Sequence, residues 1–150
     1  PDKFQSFHMR KGTEQEPVAR AAYEASTGNL VEEVGFFADE LGCFGCSPDG
    51  LIGSDGVLEI KTAVSSPTFF QAAVHGDLSE YMDQCLGYLW MLDRQWVDLF
   101  IWRPDLTHLA IHRINRADKQ AEIASLEKDL LEFALTVRLC ESKLRRVLAA

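Results

Sequence analysis

The stretch Cys46–Thr62, CSPDGLIGSDGVLEIKT, decides the fold. Two turn signals, SPDG (47–50) and GSDG (53–56), bracket the apolar pair Leu51 and Ile52. The run VLEIKT (57–62) then alternates as a strand, so the segment reads as a meander hairpin. Side chains on a strand alternate, which puts Glu59 and Lys61 on one face and Leu58 and Ile60 on the other. Burying a carboxylate and an ammonium beside a core costs several kcal/mol each unless they pair or bind a metal. Two readings stand at this point: a Glu–Lys pair on a wet sheet face, or a charged site. Asp49 is by itself a turn former, but the hairpin brings its carboxylate toward that of Glu59 across neighbouring strands. Two carboxylates with a nearby main-chain carbonyl suit a hard divalent cation such as Mg²⁺. Lys61 beside them is placed to orient a water or to stabilise charge developing on phosphorus.

Outward from the hairpin, the segment 9–28 has Val18, Ala21, Ala22 and Ala25 at helical spacing. Gly28 suits the left-handed stop, and Thr13 with Glu16 fits a capping box. Pro17 belongs near a helix start or forces a kink there. LVEEVGFFAD (30–39) is rich in β-branched and aromatic residues and reads as a strand; CFGCS reads as short and extended. Downstream, 66–76 reads as a short helix. The segment 78–93 reads as a strong one, capped by Ser79, with Met82, Cys85, Leu86, Leu89 and Leu92 as its apolar face. WVDLFIWRP (96–104) and THLAIHRI (107–114) read as strands, and 117–149 as a long terminal helix. The order is helix, three strands, two helices, two strands, helix. This is an α/β or α+β fold with a central mixed sheet and helices packed on it.

The 150 residues suffice for one domain with a sizeable core, and 47% apolar with 25% charged is an ordinary globular profile. No apolar run approaches the roughly 18 residues of a membrane span, no leader pattern stands at the N-terminus, and we read the protein as intracellular. The chain opens at Pro1 rather than Met, which fits a fragment whose beginning is removed. Lys and Arg number 15 against 23 Asp and Glu, a formal charge of −8. That balance argues against non-specific nucleic-acid binding, which rests on neutralising phosphates. It leaves room for a local basic path, or for a site where bound metal reverses the local sign. Cys43 and Cys46 have CxxC spacing, but a zinc site takes two further ligands, while Cys85 and Cys140 are isolated and the four His dispersed. Half-buried free thiols are the expectation, with Cys46 a packing residue.

The Pro48-Asp49…Glu59-Ile60-Lys61 pattern resembles the PD-(D/E)xK nuclease signature. More narrowly, CSPDGLIGSDGVLEIKT resembles the metal-binding segment of the phage lambda exonuclease and YqaJ-type viral recombinase family. Upstream, GTEQEPVARAAYEASTG is similar to the family's G-x-x-x-E-x-x-A-R helix and aligns Glu16 with its acidic residue. Downstream, YMDQCLGYLW carries Gln84-x-x-x-Tyr88, which matches the family's Q-x-x-x-Y motif, with both residues on one helix face. In consistent order the resemblance covers about residues 9–148. It implies a restriction-endonuclease-like core forming one nuclease domain over 1–150, without the family's usual upstream segment that binds the 5′ phosphate; either a segment lies before Pro1 or DNA ends are recognised differently. It implies Asp49, Glu59 and the Ile60 carbonyl as ligands of a catalytic Mg²⁺ (Mn²⁺ as a substitute), with Glu16 contributing to that or a second metal. Lys61 would position the attacking water, Ser47 and Gln84 would lie near DNA phosphate, and Tyr88 would support the site. The implied activity is hydrolysis of one strand of linear duplex DNA from its 5′ end. The implied setting is a homotrimeric ring working with a single-strand annealing protein in phage recombination, in the cytoplasm of a bacterial host. In such a ring a basic lining is expected from Arg10, Lys11, Arg20 or Lys61. The basic stretch KLRRVL (144–149) reads as a helix C-terminal match instead.

Three other classes compete. A RecB-like nuclease with an iron–sulfur cluster draws on Cys43 and Cys46. A degenerate nuclease fold would serve as a binding module, and a restriction-type enzyme would cut internally, although no base-reading helix is evident.

Overall fold

The hairpin that organises the molecule is formed as its turn signals predict. In a computed structural model, which describes residues 7–62, 66–105 and 110–148, strand β3 (Gly50–Ile52) pairs antiparallel with β4 (Gly56–Thr62). Gly56 opens β4 against the ring of Trp96: a Cβ there would lie 2.3 Å from the indole, so only glycine fits. β4 runs parallel to β5 (Trp96–Trp102), and β5 antiparallel to β6 (Ala110–Asn115), giving a mixed sheet in the order β3-β4-β5-β6. Parallel neighbours take a long crossover, which here contains the helices α2 (Ser66–His75) and α3 (Ser79–Leu92). Helix α1 (Phe7–Thr27) precedes the sheet, and α4 (Gln120–Leu148) follows a 3₁₀ turn at Arg116–Asp118. The expected α/β architecture, a central mixed sheet flanked by helices, is the one observed.

Alternation sorts β4 and β5 onto two cores. Val57, Val97, Leu99 and Ile101 pack against Leu86 and Leu89 of α3, with Ile123 of α4 at the margin. Leu58, Ile60, Phe100 and Trp102 pack against Ala19 and Tyr23 of α1. Both faces of β4 are therefore covered from Gly56 to Ile60, so Glu59 does not lie on a wet sheet face, and only Lys61 and Thr62 are half-buried. Among the described residues no helix is long and apolar enough to cross a membrane.

Several local expectations change. α1 starts upstream of Thr13, so Thr13 is interior and cannot cap it, and Pro17 is accommodated inside the helix. The buried stripe of α1 is Ala19, Arg20 and Tyr23, while Val18 is 59% exposed. The alanine pattern misled because Arg20 and Tyr23 bury long stems and find partners for their polar ends. Gly28 does end the helix with φ +73°. The strand expected over 30–39 shortens to β1 (Phe37–Ala38), paired with β2 (Gly45–Cys46), plus a lone bridge from Glu32 to Leu51. β-propensity acts only where a neighbour offers pairing, and three-residue β3 offers little. Ser79 is the first residue of α3 and not its cap, which is Leu78; the Asp77 carboxylate accepts the Ser79 N–H at 3.1 Å. Of the strand expected over 107–114, residues 107–109 lie outside the described residues. Cys85 is buried and Cys46 half-buried, but Cys43 and Cys140 are exposed.

Asp98 is a buried charge the hydrophobic pattern of β5 conceals. Its carboxylate takes a bidentate pair from Arg113 at 2.8 Å and the Tyr23 hydroxyl at 2.5 Å, and Arg113 stacks 3.8 Å over Trp96. Burial, and then the bond to Asp98, push the Tyr23 phenol up to about 12. This clamp ties α1 to the sheet. Asp98→Ala is expected to cost about 2 kcal/mol, because it strands hydrogen bonds to a charged group; urea melts would read it, and an unchanged midpoint would contradict it.

Candidate active site

Glu59 lies on the α3 side of β4 between Val57 and Lys61 and is only 3% exposed. A carboxylate so deep is tolerable only with donors around it, and α3 supplies them. Gln84 Nε2 donates to Glu59 Oε1 at 2.8 Å, and the Tyr88 hydroxyl donates to Glu59 Oε2 at 2.7 Å. Gln84 and Tyr88 are also bonded to each other at 2.7 Å, as residues one helical turn apart can be. Lys61 Nζ sits 2.6 Å from Glu59 Oε1, donates to Gln84 Oε1 at 2.8 Å, and lies 5.6 Å from the centre of the Tyr81 ring. The Glu–Lys pair thus exists, with Glu59 and Tyr88 buried at its base and Lys61 and Gln84 at the solvent side. Burial and the Glu59 charge raise the Tyr88 phenol far above its ordinary range, so it stays a neutral donor. The same causes push the neighbouring Cys85 thiol up to about 12.

Asp49 comes from the turn that feeds β3. Its Oδ2 accepts the Ile60 N–H at 2.6 Å, at the point where β4 runs on past the end of β3. The N–H and C=O of one strand residue point to the same side, so the Ile60 carbonyl shares this edge with the Asp49 carboxylate. Burial first and the Glu59 charge second push the Asp49 carboxyl up to about 7, against the pull of the Ile60 N–H. The hairpin has therefore brought two mutually repelling carboxylates and a carbonyl to one place.

Glu16, on α1, is held by Arg20 at 2.7 Å. Arg20 also reaches the Asp49 carbonyl at 3.3 Å and pairs with Glu33. At 8% exposure it is a buried brace between α1 and the Asp49 turn, not part of an exposed basic lining. The sequence does hold the clue, since Glu16 and Arg20 are four apart on one helix. Lys61 is likewise engaged with Glu59; the side chains of Arg10 and Lys11 lie outside the described residues. Ser47 is exposed, and its carbonyl lies 3.2 Å from the Tyr88 hydroxyl. In the basic tail, Arg145 pairs with Glu141 within α4. Tyr81, over the Lys61 ammonium, is a neighbour that the motifs did not single out.

The structure brings Asp49, Glu59, Lys61, Gln84 and Tyr88 together, with Glu16 alongside through Arg20. Among the described residues no three His, Cys, Asp or Glu side chains converge closely enough to hold an ion. The oxygen set is two carboxylates and a carbonyl, which is what Mg²⁺ commonly takes when water and phosphate complete its shell. The cysteines do not gather into a ligand set among the described residues: Arg138 donates to the Cys43 sulfur at 2.9 Å, and Cys85 is buried on α3. Tyr88→Phe is expected to cost about 1.5–3 kcal/mol of stability, since it removes a donor from a buried carboxylate. Thermal melts check this; a variant as stable as the parent would show that Gln84 and Lys61 suffice.

The pattern of the YqaJ-like viral recombinase domain matches residues 2–95, and the chain belongs to that family. Its fold is a nuclease fold. The chain is 30% identical to LHK-Exo, an alkaline exonuclease from Laribacter hongkongensis, over 94% of this chain and 77% of that one, with TM-score 0.67. The same enzyme in complex with dAMP matches at TM-score 0.68, covering 95% and 78%. A phage-related exonuclease from Haemophilus somnus 129PT matches at TM-score 0.66 and 14% identity, covering 95% and 77%, and shares the fold. No curated protein sequence matches.

Proposed function

We propose that the chain is a single nuclease domain that hydrolyses one strand of linear duplex DNA from its 5′ end with a divalent metal, Mg²⁺ by preference. One observation carries the reading: Asp49, Glu59 and the Ile60 carbonyl meet at the open edge of β4 with Lys61 beside them. These oxygens would hold the metal, which when bound would polarise the phosphodiester and lower the pKa of a bound water. Lys61 positions the attacking water and offsets charge developing on the phosphorus oxygens. Gln84 and Tyr88 fix the orientation of Glu59, and through Gln84 that of Lys61. Arg20 holds Glu16 beside the Asp49 turn, where Glu16 would contribute to that metal or to a second one. Ser47, exposed at the mouth, meets the DNA phosphate together with Gln84. The LHK-Exo likeness supports exonuclease chemistry, and the family supports recombination as its setting. A homotrimeric ring around the DNA, a single-strand annealing partner and a bacterial cytoplasm complete the proposal.

The test is a duplex labelled at either end of one strand. Early release of the 5′ label, dependent on Mg²⁺ and stopped by a chelator, is expected. Early release of the 3′ label would overturn the polarity, and metal-independent release the chemistry.

A further inference from the structure

The carboxylate site has a neighbour with no role so far. A cavity of about 430 Å³ opens on the far side of Gln84, within the range of small-molecule sites of about 300–1,000 Å³. Its apolar walls include Phe44, Trp90, Met91 and Leu130, and the Phe44 and Trp90 rings meet nearly at right angles with centroids 5.2 Å apart. Gly87, in the middle of α3, also lines it, and a Cβ built at Gly87 meets nothing within 4 Å. Glycine inside a helix is destabilising relative to alanine. Here its effect is to keep the cavity open one residue away from Tyr88. Among the described residues that line it there is no Lys, Arg, Asp or Glu. The cavity's polar side chains are those of Ser47, Gln84 and Tyr88, the last two bonded to Glu59; away from them the aromatic and apolar walls suit a flat, uncharged, polarisable group. In a nucleic acid that group is the base. Gln84 and Tyr88 belong to both places, lining the cavity and bonding Glu59, so these two side chains separate them.

We infer that this cavity receives the base of the terminal nucleotide while its phosphodiester lies at Asp49, Glu59 and Lys61, and that Gly87 sets the clearance. The inference rests on the nuclease reading above. With few polar groups in the walls, the base is held by stacking and apolar contact rather than read at its edges, so all four bases are accepted alike.

Gly87→Leu tests this, because leucine fills the cavity yet favours the helix; Gly87→Ala is the milder companion, and melting curves report folding. Two linear duplexes are compared, one with a normal 5′-terminal nucleotide and one with an abasic residue there. Wild type is expected to show a KM roughly tenfold higher on the abasic end, the scale of one lost base stack. Gly87→Leu is expected to lose roughly tenfold on the normal end, Gly87→Ala less, and both to match wild type on the abasic end. Gly87→Leu equal to wild type on both ends, or impaired by one factor on both, overturns the subsite while leaving the nuclease reading intact. Wild type inert on both duplexes overturns the nuclease reading, and the subsite with it.

Discussion

Lys61→Ala is expected to reduce hydrolysis by at least about 100- to 1,000-fold, the scale seen when one preorganised donor is removed from a site of developing charge. The geometry adds a second consequence. Lys61 Nζ lies 2.6 Å from a Glu59 carboxylate that is itself almost fully buried. Removing the ammonium leaves Glu59 with the Gln84 and Tyr88 donors but no counter-charge, and breaking a buried pair from one side is strongly destabilising. Metal-free Lys61→Ala should therefore melt below the parent, and added Mg²⁺ should recover much of the difference, because a ligand that binds only the folded state stabilises it. Hydrolysis and melting, each with and without Mg²⁺, separate the two effects. Full activity in the variant would remove Lys61 from the chemistry.

Asp49→Asn is expected to abolish metal-dependent hydrolysis and yet to stabilise the metal-free protein at pH 8. The sign follows from the proton. Burial and Glu59 push the folded-state carboxyl up to about 7 from its ordinary 3.8. Between those two values the folded chain binds more protons at this group than the unfolded chain does. Stability contributed by Asp49 is then fully present at low pH and is lost as pH rises toward 7. Asparagine keeps an oxygen to accept the Ile60 N–H and carries no charge to repel Glu59. The variant should thus melt several degrees above the metal-free parent at pH 8 and converge with it near pH 4. Saturating Mg²⁺ should raise the melting temperature of the parent and not that of the variant. A variant less stable than the parent at pH 8 would mean that the carboxylate is better compensated than its surroundings indicate.

The hairpin was legible because its signals are local. Turn residues and strict alternation place Asp49, Glu59 and Lys61 without knowledge of the rest of the chain, and the register of β3 on β4 follows from the turn that joins them. Gln84 and Tyr88 were legible as one helix face. What the helix face meets was not: that Gln84 and Tyr88 clasp Glu59 depends on α3 crossing over β4, a tertiary fact. Arg20 is a candidate for a basic ring lining by charge alone; the Asp49 turn and Glu33 packed against it turn it inward. The strand expected over 30–39 failed for the complementary reason. Its residues favour extended structure, but β3 is too short to pair with them. Asp98 was hidden within an apolar run because its partners, Tyr23 and Arg113, lie far away in sequence.

The central claim is that Asp49, Glu59 and Lys61 carry metal-dependent hydrolysis that starts from a DNA end. Its most direct test sets linear duplex DNA beside the same plasmid as a covalently closed circle, each with Mg²⁺ and with a chelator. The expected result is conversion of the linear DNA to acid-soluble nucleotides, closed circles left intact, and no reaction once the metal is removed. Cleavage of closed circles as fast as linear DNA, or hydrolysis of neither, would contradict it.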